Sequence, residues 1–166
     1  MTYLVWLLRI IHIVAGVFWV GGTLTMTFFV GPTIGATGES GQKFVGHLMN
    51  NLKFSNRIGA AAGSTILAGL ILFWLDARAG EAWLRSSFAT GLRIGAALAL
   101  VGLLLGIIGG RTARAMAQLG AQIQGKPSPA QLTQMQAIQK RQSAYSTIAA
   151  ITLVLAVVFM AIARFL

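Results

Sequence analysis

The sequence has no cysteine, only three prolines and only three carboxylate side chains in 166 residues. Without cysteine there is no disulfide, no thiolate metal site and no covalent c-type haem attachment. The three acids, Glu39, Asp76 and Glu81, all fall at loops or at the ends of apolar runs. No set of nucleophile, base and orienting acid can be assembled from them, so hydrolysis is the least favoured class. Charge of either sign is scarce, at 10% of residues against about 25% in an ordinary soluble domain.

Apolar residues fill the space instead. They make up 56% of the chain, and the mean hydropathy is +0.76. A helix crosses the hydrocarbon with about 20 apolar residues, and four such runs occur, at 3–30, 58–75, 88–109 and 145–165. The expected fold class is therefore all-α: a polytopic membrane protein, a four-transmembrane-helix antiparallel bundle forming a single domain over 1–166. The first run is longer than the ~7–15-residue core of a cleavable signal peptide and reads as a retained span.

Gly31-Pro32 is expected to break the first helix, and Thr37-Gly38-Glu39-Ser40 to form a turn with Ser40 as N-cap. A helix is then expected to run through His47 and Lys53 into span two. Asp76 to Ser87 reads as a short loop flanked by Trp74 and Trp83 as interfacial aromatics. After span three the helical pattern continues from Arg111 to about Gln124, breaks at Gly125-Lys126-Pro127, and restarts with Ser128 as N-cap and Pro129 at the first helical position. Residues 111–144 thus form a polar, Gln-rich helical hairpin extending spans three and four.

The formal charge of +10 comes from 13 Lys and Arg residues beside apolar spans, which fits topology and contact with membrane lipid, not nucleic acid. Lys43, Lys53, Arg57, Arg111, Arg114, Lys126, Lys140 and Arg141 mark loops one and three. The positive-inside rule makes those loops cytoplasmic, puts both termini outside and fits a bacterial inner membrane. Glycines spaced by four, Gly59 and Gly63 in span two and Gly102, Gly106 and Gly110 in span three, are expected at helix-packing faces. Those faces serve contacts within the bundle, or else admit a flat cofactor or a partner's helix, from another membrane subunit or from a homo-oligomer.

One face of the first span differs from the rest. Arg9, His12, Gly16, Trp19, Thr23 and Met26 share an arc of about 100° at 3.6 residues per turn. An ionisable residue within a span is costly unless it faces the bundle or water, so His12 is a candidate site. Arg9, Arg93, Asp76, Met160 and Arg164 fall at the same outer level by helical rise. His47 belongs to the opposite level, roughly 20 Å or more away, and reads as an interfacial histidine. With two histidines in the chain, a four-histidine, two-haem cytochrome is excluded.

The run Leu8-Arg9-Ile10-Ile11-His12-Ile13-Val14-Ala15-Gly16-Val17-Phe18-Trp19-Val20-Gly21-Gly22 resembles the first span of copper resistance protein D-like membrane proteins. It is also similar to that of the four-helix bacterial haem-biosynthetic protoporphyrinogen oxidases. The resemblance implies a bundle that binds haem b or handles copper, with His12 at the position of the family's histidine. In the haem arrangement Met160 would complete an axial pair, and Arg9 and Arg93 would hold propionates. The competing reading of the same charged residues is an ionic latch, with Asp76 the counter-ion of Arg93 or Arg9. Copper prefers clustered soft ligands, and Met1, Met26, Met49, Met116, Met135 and Met160 are scattered. The alternative to a His12 redox or metal site is a non-catalytic accessory or assembly subunit of a larger membrane complex. No broken helix or midplane charge path suggests a transporter, and no enzyme activity follows from the residues themselves.

Overall fold

The computed structural model describes residues 2–121 and 128–166. They form seven helices: α1 (Thr2–Thr25), α2 (Gly31–Thr37), α3 (Glu39–Asn50), α4 (Phe54–Ala77), α5 (Glu81–Leu84), α6 (Ser87–Ala121) and α7 (Pro129–Ile162). A single 3₁₀ turn follows at Ala163–Phe165. Four continuous rods, Thr2–Thr37, Phe54–Ala77, Ser87–Gly120 and Pro129–Phe165, are long and apolar enough to cross a membrane. The all-α four-helix membrane bundle read from the sequence is the fold observed.

The rods pack as two antiparallel pairs, α1 with α4 and α6 with α7. In the first pair Gly16 faces Thr65 and Gly22 faces Ile58; in the second Gly91 meets Ala163, Gly95 meets Met160 and Gly102 meets Leu153. The pairs join through a core of Trp19, Ala62, Ala99, Leu153 and Ala156. Most other buried apolar residues are alanines as well, among them Ala68, Ala89, Ala149, Ala150 and Ala163. This interior is built for close backbone approach, the main source of helix association where lipid is as apolar as the side chains. The outer surface is correspondingly greasy: Ile10, Ile13, Val14 and Val17 of α1 are each at least 59% exposed. Such a surface is stable in hydrocarbon and costly in water.

The upper end, where α1 begins and α7 finishes, also holds the α4–α5–α6 turn. There Trp83 packs edge-on against Phe73 and Phe88, at ring separations of 5.3 and 6.2 Å. Trp74 is exposed and carries the Arg78 guanidinium 3.9 Å above its ring.

Several local expectations are corrected. Gly31-Pro32 does not end the first helix; the chain instead widens into a π turn at Met26–Val30, and the Gly31 N–H donates five residues back to Met26. The wider turn carries the helix past Pro32, which has no N–H of its own to donate. The stop comes at Gly38, whose φ of +56° lies in the region glycine tolerates. Ser40 is consequently inside α3, not its N-cap. Nor does α3 run on through Lys53. It ends at Asn50, and Lys53, at φ +52°, turns the chain into α4. The Asp76–Ser87 segment contains the short helix α5.

The start of α7 is as expected. Ser128 accepts from the Gln131 N–H, the Gln131 side chain accepts from the Ser128 N–H, and Pro129 takes the first helical position. Gln124 and the Gly125-Lys126-Pro127 break lie outside the described residues.

Candidate functional site

His12 lies on α1 seven residues before Trp19, so the two share one face of the helix. Trp19 is buried in the core, and His12, two turns nearer the upper end, is half-buried against α4. Its Nδ1 is 2.8 Å from the Thr65 carbonyl oxygen. A carbonyl can only accept, so Nδ1 carries the proton and donates it. The Thr65 carbonyl has two lone pairs, one for its own helix and one for His12.

Gly69, one turn further along α4, completes the seat. A Cβ there would sit 2.8 Å from His12 Cε1 and 3.0 Å from Nδ1, inside normal contact distance. The imidazole therefore lies flush on the α4 backbone. The Thr65 side chain faces back across the seam: its Oγ1 donates to the Ala61 carbonyl at 2.8 Å, and its methyl lies 3.5 Å from where a Gly16 Cβ would be. Each helix thus gives up a side chain, Gly16 on α1 and Gly69 on α4, where its neighbour presents one.

With Nδ1 committed, the neutral ring has its lone pair on Nε2, and Nε2 makes no hydrogen bond among the described residues. A histidine held by an Nδ1–H to carbonyl bond with Nε2 open has the tautomer and fixed orientation that metal-ligating histidines use. Chemically, the position can ligate a metal or accept a proton. The donor set around it is small: no group of three or more His, Asp or Glu residues able to share a metal ion occurs among the described residues.

The other expected site residues take different places. Arg93 is committed within its own end of the bundle, its Nη2 donating to the Leu84 carbonyl at 3.0 Å and to Thr90 Oγ1 at 2.9 Å, and its Nε to the Ala89 carbonyl at 3.3 Å. It fastens the end of α5 to the first turns of α6. Arg9, one turn above His12, is exposed and forms no ion pair among the described residues. Asp76 is half-buried and pairs with neither arginine; the two ion pairs among the described residues are Lys43–Glu39 and Arg85–Glu81. No ionic latch of the expected kind forms.

Met160 lies against Gly95 in the α6–α7 seam, with its Cγ 2.7 Å from where a Gly95 Cβ would be. His12 belongs to the α1–α4 seam, so the two expected axial ligands sit in separate seams on the same side of the shared core. His47 is exposed on α3.

The glycine expectations separate into two groups. Gly102 is pressed against Leu153, with a virtual Cβ 2.7 Å from Cδ2, whereas Gly59, Gly63, Gly106 and Gly110 have nothing within 4 Å. Close-packed positions not anticipated include Gly22, Gly41, Gly69, Gly91 and Gly95. The available signal for two of them was a step of seven residues from another close-packed position, Gly69 from Ala62 and Gly95 from Gly102. Compared with family models, curated proteins and solved structures, the chain matches none of them.

Proposed function

We propose that this chain is a small membrane protein that holds one haem b through Nε2 of His12, close to the face where both termini emerge. The carrying observation is the 2.8 Å bond from Nδ1 to the Thr65 carbonyl, which leaves Nε2 as the free lone pair of a histidine fixed against Gly69. The donor chemistry fits: imidazole nitrogen is a common haem ligand, and the likeness of the first span to the copper resistance protein D-like proteins points the same way.

His12 would hold the haem iron, and the exposed Arg9 would be free to meet a propionate. Arg93 joins it only by exchanging the Leu84 carbonyl for a carboxylate. Met160 is packed against Gly95 in the other seam and would reach the same iron only by leaving that seam. Haem bound here would supply one-electron transfer, and the protein's part would be to fix the tautomer and orientation of His12. Copper at His12 is the variant of this reading, supported less because no second soft ligand joins the histidine. The loop cations support a reading in which the lower end faces the cytoplasm of a bacterial inner membrane.

The test is an absorption spectrum of the purified protein. A Soret band in the wild type, lost in His12→Ala and kept in His47→Ala, is the expected result. A colourless, copper-free protein purifying with a larger assembly overturns it. That outcome favours an accessory subunit or a homo-oligomer, a reading supported by the open backbone surface at Gly59, Gly63, Gly106 and Gly110.

A further inference from the structure

The lower end of the bundle carries cations with almost nothing to pair with. Of the three carboxylates, Asp76 and Glu81 are at the upper end, and Glu39 faces Lys43 at 2.8 Å, both side chains more than three-quarters exposed. Lys53, Arg57, Arg111, Arg114, Lys140 and Arg141 have no carboxylate within 4.0 Å among the described residues.

Helix α3 lies at this end. Phe44, Leu48, Val45 and Met49 occupy an arc of about 140°, with Glu39, Lys43, His47 and Asn50 opposite. Part of the apolar arc is covered, since Gly41 packs so tightly that a Cβ would lie 2.7 Å from the Ile34 backbone of α2. The edge of the arc is not: Phe44 is 55% exposed, and Leu52, just past the helix, is 45% exposed. No other described element covers them.

Depth says what does. From Asp76 to Arg57 α4 spans about 28 Å and from Arg93 to Arg111 α6 spans about 27 Å at 1.5 Å per residue, close to the ~30 Å hydrocarbon thickness. The α1–α4 register sets Lys53 beside the π turn, so α2 begins where the hydrocarbon ends. α3, folded beside α2, is then at headgroup depth.

We infer that α3 with Lys53 and Arg57 forms an interfacial platform that binds the headgroups of anionic phospholipid, with Phe44 and Leu52 seated among the upper acyl carbons. An apolar edge alone would suit any lipid; the unpaired cations select for anionic headgroups. This surface is independent of any cofactor at His12.

The absence of cysteine makes the test direct. Full-length protein bearing Phe44→Cys or Lys43→Cys is spin-labelled and placed in vesicles of phosphatidylcholine containing phosphatidylglycerol. The label at 44 should collide preferentially with oxygen, which concentrates in the acyl region, and that at 43 with a water-soluble nickel chelate. A label at 44 open to the chelate, or shielded from both reagents as under a second protein copy, overturns the proposal. In native mass spectrometry the unlabelled wild type should retain phosphatidylglycerol over phosphatidylcholine. A Lys53→Gln/Arg57→Gln variant should lower that preference by at least about ten-fold, each surface cation contributing roughly five-fold. Equal retention of the two lipids, or a preference that survives the double variant, also overturns it.

Discussion

Replacing Gly69 by alanine adds one methyl group at the point where α4 carries the imidazole. The new Cβ would stand 2.8 Å from His12 Cε1 and 3.0 Å from Nδ1, whereas nonbonded carbons rest at about 3.5–4.0 Å. The ring must retreat by roughly the difference, close to 1 Å, and its 2.8 Å bond to the Thr65 carbonyl stretches beyond hydrogen-bonding range. Losing a side-chain hydrogen bond between membrane helices costs about 0.6 to 1.7 kcal/mol, and forced overpacking about 1–3 kcal/mol. Alanine's better helix propensity returns up to about 1 kcal/mol. The net expectation is destabilisation by about 1–3 kcal/mol.

Gly63→Ala is the control, because the same methyl group there meets nothing within 4 Å; it should be neutral or stabilising. The assay is reversible unfolding of both variants in mixed micelles, together with nitrogen-15 NMR of the His12 ring, which reports which nitrogen carries the proton. Gly69→Ala should lose the fixed Nδ1–H tautomer. Equal stability of the two alanine variants, with the ring spectrum unchanged in Gly69→Ala, would refute the flush seating of His12.

Gly102→Ala drives a Cβ to 2.7 Å from Leu153 Cδ2 and should weaken the α6–α7 pair by about 1–3 kcal/mol, while Gly106→Ala should not, as measured by unfolding in the same micelles. Ser128→Ala removes the side chain that accepts from the Gln131 N–H and should cost about 1 kcal/mol. Its readout is faster hydrogen exchange confined to the first turn of α7.

The spans were legible because their signal is composition summed over about 20 residues, which no single side chain can reverse. The α7 start was legible because Ser128, Pro129 and Gln131 act on one another within a single turn. Gly31-Pro32 misled because a proline stops a helix only if the preceding turn stays α-helical, and the π turn at Met26–Val30 supplied another route. His12 stood out as an ionisable group in a span. Its partner did not, since the acceptor is the backbone carbonyl of Thr65, a group every residue has.

The glycines show the remaining step. A spacing of four places residues on one face, yet it does not say whether that face meets protein. Each step of four also rotates about 40° around the axis, so Gly106 and Gly110 walk off the line that begins at Gly102. A step of seven rotates back by only about 20° and stays in the seam of two closely aligned antiparallel rods. Gly95, Gly102 and Gly109 follow that step along α6, with Met160, Leu153 and Gln142 opposite. Trp19 and His12 follow it along α1, and Ala62 and Gly69 along α4. His12 thus occupies a knob position one repeat above a buried tryptophan, where an aliphatic residue would pack as well and leave no polar nitrogen to satisfy. A histidine there needs the Thr65 carbonyl for Nδ1 and a missing side chain at Gly69 for its ring, and both are built into α4. Nε2 is left with no bond of its own among the described residues, and the spectrum of the purified protein tests whether a haem takes it.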